Sequence, residues 1–117
     1  MQQLQIPPLA EGEIYLCGIV DAKGDIEHTI LLPGENGRAP WKDQLDWAKS
    51  IGGDLPSRVE QALLFANCRD QFERDWYWSN EPDGSGWAWF QDFYDGDQGS
   101  YRQGGELRAR AVRRLPI

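Results

Sequence analysis

The feature that most constrains this chain is the elbow Gly52-Gly53-Asp54-Leu55-Pro56-Ser57-Arg58-Val59-Glu60, set between two segments with helical hydrophobic spacing. Glycine just past a helix end readily takes the left-handed backbone that terminates it, so Gly52-Gly53 stops the helix predicted over residues 40–51, whose first turn suits Pro40. Ser57 and Glu60 have capping-box spacing, in which each side chain bonds the other residue's backbone amide. A second helix is therefore predicted from about Arg58 to Phe72. Trp41, Leu45 and Ala48 line one face of the first helix, broadened by Trp47 and Ile51. In the second, Val59, Ala62, Leu63 and Ala66 form the apolar stripe, widened by Phe65, Cys68 and Phe72.

Strand patterns flank this helical pair. Pro7-Pro8 disfavours helix, so residues 1–12 read as an extended arm. Residues 13–20 and 26–32 then form a hairpin around the polar turn 21–25, and residues 35–39 form a polar loop. Beyond Asp75 come aromatic strands over 76–80 and 86–93, split by Glu81-Pro82-Asp83-Gly84-Ser85, with a second turn over 94–100 and a short strand from Tyr101. Residues 107–113 alternate as a last strand with one buried and one partly wet face. The order β-β-α-α-β-β-β-β describes an α+β fold over residues 13–117, and 117 residues suffice to bury a core without metal or disulfide.

One ordered pattern runs from Trp41 to Arg114: Trp41, Trp47-Ala48, the elbow residues Gly52, Gly53, Leu55, Pro56, Ser57, Arg58 and Glu60, then Tyr77-Trp78-Ser79, Ala88-Trp89 and Ala109-Arg110-Ala111-Val112-Arg113. This string resembles the DUF1566 family, which occurs on bacterial surface proteins and in phage genomes. The resemblance implies a C-type-lectin-like domain: two helices packed on an antiparallel sheet, with first and last strands adjacent. It also implies that Trp41, Trp47, Trp78 and Trp89 are core residues, leaving Trp76, Trp87, Tyr94 and Tyr101 as candidates for exposure. From their spacing, Trp47, Leu55, Trp78 and Trp89 are expected in the core.

Composition excludes several functions. A net charge of -7 argues against direct nucleic-acid binding, which needs a basic footprint. The first residues lack a basic segment and an apolar run, and nothing approaches a membrane span, so the expected place is the cytoplasm of a host cell or a virion. Cys17 and Cys68 lack metal-site or redox spacing and are expected as buried free thiols. Nucleophilic catalysis needs a base beside the nucleophile. His28 is the only histidine and lies in a strand alternation, so an enzyme is not expected.

The turns hold the candidate site. Asp92, Asp95 and Asp97, with Asp83 on the neighbouring turn, offer carboxylates, and Trp87, Tyr94 and Tyr101 offer aromatic surface. Asp in Gly-rich turns commonly bonds local backbone, so no metal and no cofactor is expected here. Glu81-Pro82-Asp83 is similar to the sugar-binding tripeptide of C-type lectins, although the rest of that signature is absent. The expectation is a non-enzymatic binding module that recognises a host protein or glycan through loops 81–87 and 94–106. The alternative is an intracellular phage accessory protein whose acidic surface blocks a basic host factor; assembly into a homo-oligomer through the N-terminal arm is a further possibility.

Overall fold

The computed structural model describes residues 5–116 and orders them as β1 (Ile14–Val20), β2 (Ile26–Leu31), β3 (Asn36–Ala39), α1 (Trp41–Ser50), α2 (Arg58–Cys68), a 3-10 turn (Arg69–Gln71), β4 (Trp76–Pro82), β5 (Trp87–Asp92), β6 (Gln98–Arg102), β7 (Leu107–Ala109) and β8 (Val112–Pro116). Strands β1-β2-β8 make one antiparallel sheet. Strands β3-β7-β4-β5-β6 make a second, antiparallel except where β4 meets β7. The fold class is α+β. Leu32, Ala48, Leu55, Trp78, Ala88 and Leu107 form one apolar cluster against α1. A second, including Leu31, Leu64, Tyr77, Phe93 and Val112, lies against α2.

The elbow follows its local chemistry. Gly52 has a φ of 85°, the left-handed region, and the Gly53 amide donates to Ala48 O at 2.9 Å. Ser57 Oγ accepts from the Glu60 amide at 3.2 Å while Glu60 Oε1 accepts from the Ser57 amide at 2.8 Å, the reciprocal capping box. Asp54 and Val112 exchange backbone hydrogen bonds of 2.8 Å, clamping the elbow onto β8. A Cβ at Gly53 would lie 2.5 Å from Val112 O and 2.7 Å from Leu32 Cδ1, so this close approach requires glycine.

Several expectations need correction. Residues 107–113 are not one strand: β7 and β8 belong to different sheets, and Arg110-Ala111 cross between them. The crossing is held by Arg110, whose Nη1 and Nη2 donate to Gln71 O at 2.6 Å and Leu32 O at 2.8 Å. The first and last strands share a sheet but are not adjacent, because β2 pairs with both. They are tied over β2 by Arg113, whose Nε and Nη2 donate to Glu13 at 2.7 and 2.8 Å. The polar loop over 35–39 contains strand β3, fixed by the buried Gln44 side chain. Gln44 accepts from Asn36 Nδ2 at 2.8 Å and donates to Gly37 O at 2.7 Å and Leu107 O at 2.9 Å. The α-helix of α2 ends at Cys68, not Phe72.

The face that α2 buries is also different from the apolar stripe. Val59 is 61% exposed and Ala62 and Ala66 face solvent, while Glu60, Gln61, Leu64 and Cys68 are buried. Burying a polar group is tolerable when it is hydrogen-bonded, and Glu60 finds its partners on β2 and β8 while Gln61 Nε2 donates to Tyr77 O at 3.0 Å. Leu55 and Trp78 are fully buried as expected, but Trp41, Trp47 and Trp89 are only half-buried. Of the arm over residues 1–12, the first four positions lie outside the described residues; residues 5–10 carry no regular secondary structure.

Candidate functional site

Strands β4, β5 and β6 form a meander, so its two turns lie at opposite ends of β5. At one end the Asp83 amide donates to Trp87 O at 2.8 Å, and the Gln103 amide and side chain donate to Gly86 O and Trp87 O, each at 2.9 Å. Asp83, Trp87 and the loop after β6 therefore come together. At the other end Asp92 Oδ1 accepts from the Tyr94 amide at 2.8 Å and Asp95 Oδ1 from the Asp97 amide at 2.9 Å. The candidate residues thus fall into two groups separated by the length of β5, roughly 17 Å. The carboxylates of Asp92 and Asp95 are engaged in local backbone bonds of the kind that shape such turns.

Between the groups lies a sheet face. Trp76 pairs in register with Asp92, Trp78 with Phe90, Phe90 in turn with Gly99, and Ala88 with Tyr101, which puts the side chains of Trp76, Trp78, Ala88, Phe90, Asp92 and Tyr101 on one side. Trp76 stacks on Phe90 with centroids 4.2 Å apart, meets Tyr101 edge-on at 5.8 Å and donates from Nε1 to Asp92 Oδ2 at 3.1 Å. Three contacts fix its ring, yet Trp76 remains 37% exposed. Asp92 and Tyr101 thus converge on an indole absent from the candidate site read in the sequence. The signal was present in part, since aromatic strand ends beside polar turns mark exposure, but the stack on Phe90 depends on strand register.

The opposite face serves the framework. Arg58 lays its guanidinium 3.6 Å from the Trp89 ring centroid and exchanges hydrogen bonds with Gln98 at 3.0 and 2.7 Å. Glu81 Oε2 accepts from the Arg58 amide at 2.7 Å, at the positive end of α2. The Glu81 carboxylate of the Glu81-Pro82-Asp83 tripeptide is therefore occupied by the helix, and that of Asp83 is not.

The other ionisable clusters are likewise internally bonded. Thr29 Oγ1 donates to Glu60 Oε2 at 2.9 Å, and Arg114 Nε and Nη2 donate to the two Glu60 oxygens at 2.8 and 2.6 Å. A third bond joins Arg114 Nη1 to Asp54 Oδ2 at 2.8 Å. Burial alone would raise the Glu60 carboxyl, but the Arg114 fork, the Ser57 amide and the Thr29 hydroxyl outweigh it and hold the pKa below the ordinary value. His28 is buried with Nδ1 2.8 Å from Tyr15 Oη. Cys68 is buried, Cys17 half-buried, and burial pushes both free thiols up. Arg108 joins Glu35 at 2.6 Å and Asp75 at 2.9 Å, and Asp75 Oδ1 accepts from the Trp76 amide at 2.7 Å, bracing the exposed indole from behind.

Among the described residues no three His, Cys, Asp or Glu side chains gather as a metal-ligand group, and no helix is long and apolar enough to cross a membrane. Comparison with known proteins finds no matching family model and no matching curated relative.

Proposed function

We propose that this protein is a non-enzymatic, C-type-lectin-like binding module related to the DUF1566 family, of phage or prophage type, acting in the host cell or on a virion. Its ligand is a host glycan or protein, recognised by loops 81–87 and 94–106 together with the aromatic face between them. The fold assignment is supported by two helices joined at the Gly-Gly-x-Leu-Pro-Ser-Arg-x-Glu elbow and by the first and last strands belonging to one sheet.

The observation that carries the functional reading is the posture of Trp76. A large ring already held by Phe90, Tyr101 and Asp92 loses little entropy when a ligand covers it. Flat apolar surface beside a carboxylate suits a sugar ring, whose C–H face stacks while its hydroxyls bond, and it suits a protein anchor equally. Trp87, 44% exposed at the far turn, is out of phase with Ala88 and Phe90 on β5 and offers a second aromatic contact on the other side of the sheet.

A glycan array and a host-lysate pulldown, each run with wild type and the double variant Trp76→Ala/Trp87→Ala, test this. The expected result is capture by wild type and loss of capture by a variant with an unchanged far-ultraviolet spectrum. Equal capture by both would refute the surface, and capture of basic proteins alone, abolished by added salt, would favour the acidic inhibitor reading.

A further inference from the structure

A second surface lies beyond the aromatic face, where the end of α2 meets the β5–β6 turn. Arg69, Asp70, Phe72, Arg74, Phe93 and Tyr94 line a groove of about 550 Å³. This is within the range of small-molecule sites, roughly 300 to 1,000 Å³. Its floor is aromatic: Phe72 and Phe93 stack with centroids 3.9 Å apart and planes 3° from parallel. Tyr94, 69% exposed, stands at the rim.

The arginines around this groove differ from those that brace the framework by ion pairs. Arg38, Arg108, Arg113 and Arg114 all pair with carboxylates. Arg69 and Arg74 pair with none among the described residues. Arg69 is steadied by Phe65, with its guanidinium 4.2 Å from the ring centroid and its Nε donating to Phe65 O at 3.1 Å, and neither contact uses its terminal nitrogens. Behind the floor, buried Arg110 has its guanidinium 5.3 Å from the Phe72 centroid. Arg110 is held by two backbone carbonyls and no carboxylate, and its Nε has no partner. Two guanidinium groups, Arg69 and Arg74, thus line the groove against one lining carboxylate, Asp70, with Arg110 behind Phe72, in a chain of net charge -7. Such local excess attracts an anion, and a planar guanidinium matches a carboxylate in particular.

We propose that this groove binds a small carboxylate attached to a ring, with Arg74 and Arg69 gripping the acid and Tyr94 and Phe72 covering the ring. The same chemistry is offered by an acidic sugar and by an aromatic acid.

Amide chemical shifts of the full chain, titrated separately with glucuronate, benzoate and glucose, test the proposal. Glucuronate, benzoate or both should shift the amides of residues 69–74 and 93–97 saturably below about 10 mM, a range suited to fragment-sized ligands, while glucose does not. Glucuronate alone would assign an acidic sugar, and benzoate alone an aromatic acid. Arg74→Gln should weaken binding about ten-fold through loss of the charge-assisted bonds. Arg102→Gln, on β6 and outside the groove, should leave binding unchanged. The Trp76→Ala/Trp87→Ala variant should also titrate as wild type, which separates this groove from the aromatic face. Absence of shifts with both acids, equal shifts with glucose, or wild-type affinity in Arg74→Gln would overturn it.

Discussion

Trp76 and Trp78 stand on the same strand and the same face of the sheet, but they occupy different regions of the molecule. Trp78 is fully buried in the cluster beneath α1, and its Nε1 donates to Ala39 O at 3.0 Å. Trp76 lies outside that cluster, bonded to Asp92 and stacked on Phe90, with its outer surface in water. One indole holds the fold; the other is held by it. The same division separates the elbow, where charged side chains turn inward onto one another, from the β5–β6 end, where arginines and aromatic rings remain available. Residue type alone therefore does not mark function here; what matters is whether neighbouring groups have already satisfied the side chain.

The strongest way to break this contrast is to truncate both tryptophans. Trp78→Ala should cost ~3 to 5 kcal/mol in urea denaturation, the usual price of emptying a buried Trp site. Trp76→Ala should cost only about 1 kcal/mol, from a lost stack and an exposed hydrogen bond. Comparable losses would erase the distinction. Next in size is Glu60→Ala, which removes the carboxylate that Thr29 and the Arg114 fork share, leaves Arg114 only Asp54 and Leu55 O, and should destabilise by about 3 kcal/mol. A thermal midpoint equal to wild type would show that the inward-turned charges do not hold the elbow. Gly53→Ala should follow at about 1 to 3 kcal/mol, because the added methyl collides with the Val112 carbonyl.

The smallest effect sharpens the contrast by pH. The Arg113 fork, with the Ala10 amide, lowers the Glu13 carboxyl from 4.5 to about 2. A depressed folded-state pKa means that the stability it contributes is fully present above about 4.5 and lost as pH falls through about 2. Wild type should therefore exceed Glu13→Gln by about 1 kcal/mol at neutral pH. Urea midpoints of the two proteins should converge in acid; a constant gap would exclude the ion pair as its source.

The parts of this fold that were legible in sequence are those whose signals are local. Gly52 stops α1 and Ser57 caps α2 through atoms only a few residues away. The buried face of α2 was not legible, because Glu60 is satisfied by Arg114 and Thr29, brought in from β8 and β2. Helical periodicity favoured Val59 and Ala62 on that face, and tertiary hydrogen bonding overrode it. The division of residues 107–113 was hidden too, since alternation passes through Arg110 unchanged while its side chain anchors the crossing. At the candidate site, the turns and exposed aromatics were visible as residue types. Their separation to opposite ends of β5, and the joining of Asp92 to Trp76, required strand register.

The most direct test of the central claim measures two properties of one variant, Trp76→Ala: its urea midpoint and its capture of ligand on the glycan array and in the lysate pulldown. Trp76→Ala should keep a stability within about 1 kcal/mol of wild type and lose capture. Retained capture with stability falling as far as in Trp78→Ala would contradict this, because Trp76 would then be a framework residue and the recognition surface would lie elsewhere.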